Sequence, residues 1–263
     1  MKIALLQTDI VWDDIIANTR KLDDLTGRPE VAGSSLIVLP EMWATGFNVH
    51  PTAELADRCE AALNWMAVTA EKLGAAVAGS LVAQDGDGFR NRFYLVRPDG
   101  STDYYDKRHL FTYGGEDQTY VRGERRVVVP LDEWKVLLQT CYDLRFPAFS
   151  RNRTATGGLG ADYDLLLYVA SWPESRQTAW QTLLRARAIE NQCYVCGVNR
   201  TGSDPQCRYA GGSAIIDAKG RTLGELQAEE GILTAELDAN SLATFRRKFP
   251  VLHDADDLRP AIG

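Results

Sequence analysis

The sequence predicts an α/β fold in which mixed β-sheets lie inside and helices pack outside. Segments with the hydrophobic pattern of strands alternate along the chain with segments of helical period, and hairpins interrupt this alternation. The nearly continuous apolar run "YDLLLYVASW" at residues 163–172 is typical of a strand buried on both faces. In folds of this kind, reactive side chains tend to follow the carboxyl ends of strands.

The first half of the chain begins with a β-α-β unit. Two short apolar strands, "KIALLQ" and "SLIVLP", flank "DDIIANTRKLDDL", whose apolar residues recur at helical intervals. Residues 53–74 predict a long amphipathic helix that ends at Gly74. The next predicted elements are, in order, the strands "AAVAGSLVA", "RNRFYLVRPDG" and "TDYYDKR" and the hairpin "ERRVVVPLDEWKVLLQTC".

The second half continues the pattern after the buried strand at 163–172. Its predicted elements are, in order, the helix "TAWQTLLRARAIENQ", the strand "CYVCGVNRT", the hairpin "GGSAIIDAKGRTLGEL", the strand "GILTAELD" and the short helix "SLATFRRKFP". The sequence shows no repeat or linker. We therefore expect a single domain over residues 1–263, with a polar tail from about residue 251.

Composition excludes several classes of function. The chain has 263 residues, of which 45% are hydrophobic, and its net charge is -7. This charge argues against a nucleic-acid partner, because phosphate binding requires clustered Lys and Arg. No apolar run approaches the ~18 residues that span a bilayer, and the opening "MKIALLQTDI" turns polar too early for a secretory leader. We expect no membrane partner, a cytoplasmic location and five free cysteines.

Three predicted strands end in residues that together could form a nucleophilic site. Glu41 follows "LIVLP", Lys107 follows "YYD" and Cys141 follows "VLLQT". A thiol reacts as the thiolate, so a carboxylate such as Glu41 could act as its base. Lys107 and the backbone N–H of Tyr142 could stabilise the negative charge that develops on a carbonyl or nitrile substrate. Each residue alone is more often structural than catalytic, since buried cysteines usually only pack.

The segments around these residues resemble the nitrilase or carbon–nitrogen hydrolase superfamily. "LPEMWATGF", "YDKRHLF" and "CYDLRFP" occur in the order of the superfamily's Glu, Lys and Cys triad, and the similarity extends from Ile3 to about Pro250. "KRHLF", "CYDLRFPAFSRN" and "YVASWP" are most similar to the ω-amidase branch. The resemblance implies Glu41 as general base, Lys107 as oxyanion stabiliser and Cys141 as nucleophile.

The resemblance also implies a fold and a fourth site residue. The fold would be a four-layer α-β-β-α sandwich, and two copies would pair through one helical layer as a homodimer. Members of the family often carry a second glutamate between the Lys and the Cys, a position that Glu116 in "GGEDQTYVRG" would take. Its carboxylate would hold the Lys107 ammonium and orient the leaving amine; the alternative is a surface acid.

His109, Asp143 and Arg145 have structural alternatives. His109 could replace Glu41 as the base, but we favour a bracing role, since Glu41 is available. Asp143 and Arg145 would pair with each other or fix the turn that exposes the thiol. "CYVC", with cysteines at 193 and 196, has the spacing of a metal or redox site. We interpret it as buried packing, because residues three apart in a strand point to opposite faces.

Aromatic residues near the three segments could form the wall of a small substrate pocket, with one cation for a substrate carboxylate. The candidates are Trp43, Phe47, Tyr113, Trp172 and, for the carboxylate, Arg176. The preferred function is hydrolysis of the terminal amide of a small 2-oxo dicarboxylate monoamide, such as 2-oxoglutaramate or 2-oxosuccinamate, with no metal or organic cofactor. Alternatives are a deaminated-glutathione amidase, an N-carbamoyl amidase, a nitrilase, or a non-catalytic scaffold or thiol sensor.

Overall fold

Two six-stranded mixed sheets form the centre of the protein. The computed structural model describes residues 1–86, 88–153 and 161–255. The first sheet, in spatial order, consists of β14 (Gly231–Glu236), β1 (Lys2–Gln7), β2 (Leu36–Val38), β3 (Ala76–Asp85), β4 (Gly88–Val96) and β5 (Thr102–Asp106). The second consists of β13 (Thr222–Glu225), β12 (Ala214–Ile216), β9 (Tyr194–Asn199), β8 (Leu165–Ala170), β7 (Trp134–Thr140) and β6 (Val128–Leu131).

Each sheet has parallel strands at its centre and antiparallel strands at its edges. In the first sheet β1, β2 and β3 are parallel, and in the second β7, β8 and β9 are parallel. Parallel neighbours end at the same edge of a sheet, so the ends of β2 and β7 are where functional groups are expected.

The layers follow from the alternation of side chains along the strands. On β7, Leu138 points into the core between the sheets, while Leu137 points outward and packs in one cluster with Trp180 and Leu184. Helices α1 (Ile15–Thr26) and α2 (Ala53–Leu73) cover the first sheet, and α4 (Gln177–Asn191) covers the second. The α-β-β-α sandwich is therefore confirmed. Two shorter helices complete the chain, α3 (Pro147–Ser150) and α5 (Ala239–Lys248).

The first two helices begin at capping side chains, and the second ends at the predicted glycine. The Asp14 carboxylate accepts a hydrogen bond from the Ala17 N–H at the start of α1, and the Thr52 hydroxyl does so from Leu55 at the start of α2. Gly74 ends α2 with φ 61°, a left-handed conformation that glycine adopts without strain. Thus the predicted end of the long helix is observed.

Short elements escaped the sequence analysis. A hairpin of β10 (Thr201–Ser203) and β11 (Arg208–Ala210) lies within the segment between two predicted strands, and its three-residue strands are too short to show a period. Of the predicted tail, Val251–Asp254 form a single helical turn, and the part after residue 255 lies outside the described residues. In the described ranges no helix is long and apolar enough to cross a membrane.

Cys193 and Cys196 lie on opposite sides of the second sheet. Cys193 packs in the outer cluster beneath α4, and Cys196 packs in the core between the sheets. Both thiols are buried, and burial raises the pKa of Cys193 to about 12. Cys193 and Cys196 are therefore packing residues of the interior, as their spacing within a strand predicted.

Candidate active site

Cys141 sits on a sharp turn at the end of β7. Its backbone takes φ 45°, a left-handed conformation that is strained for a residue with a side chain, and a short helical segment, Cys141–Arg145, begins there. The Asp143 carboxylate accepts a hydrogen bond of 3.0 Å from the Thr140 N–H and so ties the start of this turn to its third residue. The turn projects the thiol away from the line of the strand.

Asp143 is the anchor of this turn. Its fully buried carboxylate also accepts hydrogen bonds from the Tyr105 hydroxyl at 2.7 Å and from the His109 N–H at 3.0 Å. The His109 ring lies 2.7 Å from the same carboxylate through Nδ1 and stacks on Phe146. His109 is therefore placed to brace the turn. Asp143 does not pair with Arg145, which corrects one of the two roles considered for them.

Glu41, Lys107 and Glu116 form a buried charge cluster beside Cys141. The Lys107 ammonium lies 2.9 Å from Glu41 Oε1 and 2.8 Å from Glu116 Oε2. All three side chains are fully buried. Glu41 is positioned by the turn after β2, where Met42 takes φ 46° and donates its N–H to the Ser80 hydroxyl. The structure thus brings together the four residues that the sequence placed on separate segments.

Backbone and amide donors satisfy the remaining carboxylate oxygens. The Ser171 N–H donates to Glu41 Oε2 at 2.8 Å, and the Phe111 N–H donates to Glu116 Oε2 at 2.6 Å. The Asn91 amide donates to both carboxylates. The sequence analysis missed Asn91. Its signal was present, because Asn91 is in phase with Phe93 and Leu95 on the buried face of β4, where a polar residue is unusual.

The surroundings keep Lys107 charged and Cys141 neutral. Burial disfavours the Lys107 ammonium, but Glu116 and Glu41 more than offset this, so the pKa of Lys107 is raised. Burial and the nearby Glu41 carboxylate raise the pKa of the Cys141 thiol well above its ordinary value, although Lys107 opposes this. Cys141 consequently needs a base when it reacts, and Glu41 is the carboxylate that interacts with the thiol.

The thiol opens into a small cavity of about 50 Å³ that is partly open to solvent. Its lining residues are Phe47, Lys107, Phe111, Gly114, Cys141, Tyr142, Arg145, Ser171, Trp172, Pro173, Arg176, Gln206, Cys207 and Tyr209. Of the predicted pocket residues, Phe47, Trp172 and Arg176 are among them. Apolar walls with a few placed polar groups are typical of sites for small molecules.

Two predicted pocket residues are not among those that line the cavity. Trp43 is buried against Trp65, with ring centroids 5.1 Å apart, and packs between the first sheet and its helices. Its position follows from the turn after Glu41, which directs the next side chains back into that layer. Tyr113 is 87% exposed and does not line the cavity, and its ring centre lies 6.0 Å from the guanidinium carbon of Arg176. Proximity in sequence to Glu41 and Lys107 was a poor guide for both.

The cavity rim contains residues that the sequence analysis did not assign to it. Arg145 lies with its guanidinium carbon 5.0 Å from the centre of the Trp172 ring, and Arg176 lies 5.2 Å from the centre of the Phe111 ring. Gln206 and Cys207 come from the loop of the β10–β11 hairpin. We call Arg145, Arg176, Gln206 and Cys207 the cavity rim. Gln206 and Cys207 were missed because a three-residue strand gives no sequence signal. Arg145 was missed because it was considered only as a partner of Asp143 or as part of the turn.

Comparison with known proteins identifies the family. The family model for carbon–nitrogen hydrolases matches residues 2–247. The chain belongs to the carbon–nitrogen hydrolase family. The chain is 44% identical over 262 residues to the omega-amidase YafV of Escherichia coli (strain K12), covering 98% of each chain. It is 37% identical over 255 residues to the 2-oxoglutaramate amidase of Bacillus subtilis (strain 168), covering 96% of each. The family and these relatives show that the chain is an amide-hydrolysing enzyme.

Solved structures of carbon–nitrogen hydrolases share its fold. A CN-hydrolase superfamily protein from Xanthomonas campestris, solved with an arsenic adduct in its active site, is 40% identical with a TM-score of 0.89 and covers 98% of both chains. A mutant amidase from Nesterenkonia sp. AN1, solved after acrylamide had added to its active-site cysteine, is 27% identical with a TM-score of 0.78. The alignment covers 95% of this chain and 98% of that one.

Proposed function

We propose that the protein hydrolyses the terminal amide of small 2-oxo dicarboxylate monoamides, such as 2-oxoglutaramate and 2-oxosuccinamate, to the dicarboxylate and ammonia. The observation that carries this proposal is the cavity itself. It joins a nucleophilic thiol beside a buried carboxylate and ammonium to two guanidinium groups on the rim. Neither Arg145 nor Arg176 forms an ion pair with a carboxylate of the described residues, so both can receive a substrate carboxylate.

The reaction begins with proton transfer from Cys141 to Glu41. The thiolate forms a bond to the amide carbon, and the Lys107 ammonium with the Tyr142 N–H stabilises the oxyanion. Collapse of this intermediate breaks the C–N bond, and Glu41 returns its proton to the departing ammonia. Glu41 then takes a proton from water, which attacks the thioester and releases the carboxylate and the thiol. A base used twice in this way contributes about 10²–10⁴ to the rate.

Glu116 keeps the ammonium aimed at this position. It contacts Lys107 through both carboxylate oxygens, at 2.8 and 3.1 Å, and its own position is fixed by the Phe111 N–H. A lysine side chain with four rotatable bonds would otherwise have several positions available. We assign Glu116 to orientation of Lys107 and of the leaving amine.

The test is ammonia release from 2-oxoglutaramate, 2-oxosuccinamate, an N-carbamoyl amino acid and a simple nitrile. The wild type is compared with Cys141→Ala and with Cys59→Ala, which removes a buried cysteine that does not line the cavity. We expect the oxo-amides to be hydrolysed by the wild type and by Cys59→Ala but not by Cys141→Ala. Turnover of the carbamoyl substrate alone would favour an N-carbamoyl amidase. No turnover, with Cys141 still alkylated rapidly, would refute the substrate class.

The same proposal includes a homodimer in the cytoplasm built from one domain per chain. The outer face of α4 supports pairing, because Ile189 is half exposed there and Leu183 is only partly buried. Five cysteines without disulfides, one of them the nucleophile, suit a reducing compartment. Light scattering on the wild type and on Ile189→Lys tests the dimer, and an unchanged dimer in the variant would place the interface elsewhere.

A further inference from the structure

Asn91 touches every member of the charge cluster. Its side chain is almost completely buried in β4, and its Nδ2 donates to Glu41 Oε1 at 2.7 Å and to Glu116 Oε1 at 3.1 Å. Its backbone carbonyl accepts a hydrogen bond of 3.0 Å from the Lys107 N–H. One residue thus links the two acids through its side chain and positions the lysine through its backbone.

The orientation of this amide is set by the carboxylates. With the opposite orientation, Asn91 Oδ1 would face two carboxylate oxygens, and acceptors repel one another. Within the described residues, Oδ1 is one of the buried polar atoms without a hydrogen-bond partner. Buried polar atoms are usually paired, so the side chain is placed for its two donors and not for general hydrogen bonding.

The cluster needs these donors because it contains two acids and one ammonium. Other groups face it as well: the Cys141 thiol, the Tyr120 phenol, and the N–H groups of Ser171 and Phe111. Ser171 donates only to Glu41 and Phe111 only to Glu116, whereas the Tyr120 hydroxyl donates to the Asn48 carbonyl. Apart from Lys107, Asn91 is therefore the donor that Glu41 and Glu116 share.

We infer that Asn91 is a positioning residue that holds the Glu41 and Glu116 carboxylates in place on the two sides of Lys107, and so keeps Glu41 available as the base. This inference rests on the proposed function only for the role of Glu41 toward Cys141. It adds a residue that donates a hydrogen bond to the proposed base but does not line the cavity. Hydrogen bonds to a carboxylate favour its ionised form, so their loss favours protonation.

Burial already favours protonation of Glu116. Burial and the neighbouring Glu41 raise the pKa of Glu116, while Lys107 opposes this. Without the Asn91 donors, a proton would bind to the pair at a higher pH than in the wild type. The form of the site in which Cys141 reacts would then be lost at a higher pH on acidification.

The experiment measures alkylation of Cys141 by iodoacetamide between pH 5 and 9, with the labelled site identified by mass spectrometry. It requires no substrate, so a wrong choice of amide cannot affect it. In Asn91→Leu, which has a similar shape but no donors, we expect the rise of the alkylation rate to move about 1 unit higher in pH, and the rate below the midpoint to fall about tenfold. For an oxo-amide, kcat should follow the same shift, with KM changed less than about twofold.

Asn152→Leu is the matched control. Asn152 is also fully buried and donates to two carbonyl groups, of Tyr163 and Asn191, but it does not contact the charge cluster. We expect this variant to unfold at a lower temperature while its alkylation profile stays that of the wild type. A general loss of packing would move both variants in the same way.

A second variant covers the case in which Asn91→Leu does not fold. Asn91→Asp keeps the shape but adds a third acid to the two carboxylates, so its profile should also move to higher pH. The inference is overturned if a folded Asn91 variant keeps the midpoint of the wild type, or if Asn152→Leu shifts equally. Loss of ammonia release with an unchanged alkylation profile would also overturn it.

Discussion

The charge cluster and the cavity rim both contain charged side chains, but they hold them in opposite ways. In the cluster, Lys107 lies between Glu41 and Glu116, and no charge is exposed. On the rim, Arg145 and Arg176 are half-buried and lie over aromatic rings, and the ion pairs of the described residues do not include them. A buried charge is tolerated only when it is paired, whereas a partly solvated guanidinium needs no partner from the protein and can bind a ligand.

This difference separates the reaction from the choice of substrate. The cluster is complete within the chain, because its ammonium and its two carboxylates pair with one another. Under the proposed function the substrate carboxylate would complete the rim, whose residues come from segments that share no element with the cluster. Substitutions in the cluster should therefore reduce stability and turnover together, while substitutions on the rim should alter discrimination between amides.

The largest effect should follow from removal of the central cation. Lys107→Met leaves two buried carboxylates facing each other without an ammonium, and loss of one partner from a buried ion pair typically destabilises a protein by about 3–5 kcal/mol. Urea unfolding measures this, and ammonia release should vanish with it. Lys72→Met, at an exposed position near the end of α2, should change the unfolding free energy by less than about 0.5 kcal/mol. Equal stability of the two variants would contradict the buried cluster.

A substitution on the rim should change KM, and the size of the change should depend on the charge of the substrate. Arg176→Ala removes a fork of donors worth about 1.5–3 kcal/mol to a carboxylate, so KM for an oxo-dicarboxylate monoamide should rise about ten- to a hundredfold. KM for a neutral amide of the same length should change little. Arg176→Lys keeps the charge but not the two parallel donors, so its KM for the acidic amide should lie between those of the wild type and Arg176→Ala.

Arg145→Ala, assayed on the same pair of amides, decides which guanidinium meets the carboxylate. The larger loss of discrimination identifies that residue. Equal losses on the acidic and the neutral amide in both variants would show that neither arginine binds the substrate carboxylate.

The smallest effect is expected at Tyr113, which the sequence suggested for the pocket. Its ring is largely exposed, so Tyr113→Ala should change the unfolding free energy by less than about 0.5 kcal/mol and KM by less than about twofold. Phe47→Ala is the comparison, since Phe47 lines the cavity and its ring centre lies 5.1 Å from the Lys107 ammonium. A larger effect at Tyr113 than at Phe47 would mean that the rim extends further than the cavity shows.

The sequence predicted the parts of the molecule that repeat a pattern over several residues. Strands such as β8 and the helix α2, with its end at Gly74, follow from periodicity and caps. The order of Glu41, Lys107 and Cys141 along the chain pointed to a shared chemistry. Their convergence could not be predicted, because it depends on how the two sheets pack across a core built from distant segments.

Of the four rim residues, the sequence analysis predicted Arg176 but not the other three. Gln206 and Cys207 depend on a hairpin with strands of three residues, whose pairing is set by tertiary contacts and not by a pattern. Arg145 belongs to the same short helical turn as Asp143, and only the structure shows that Asp143 is already bonded to Tyr105 and His109. Side-chain competition of this kind is decided by geometry, which spacing alone does not contain.

The left-handed backbone at Cys141 bears on how this position could change over time. A residue with a side chain at φ 45° gives up about 1–3 kcal/mol of folding free energy, and glycine would recover most of it. Selection for stability alone would therefore favour glycine at position 141. A descendant that lost its catalytic task could gain thermal tolerance by this single replacement, so a glycine there in a chain of the same fold would mark a retired enzyme.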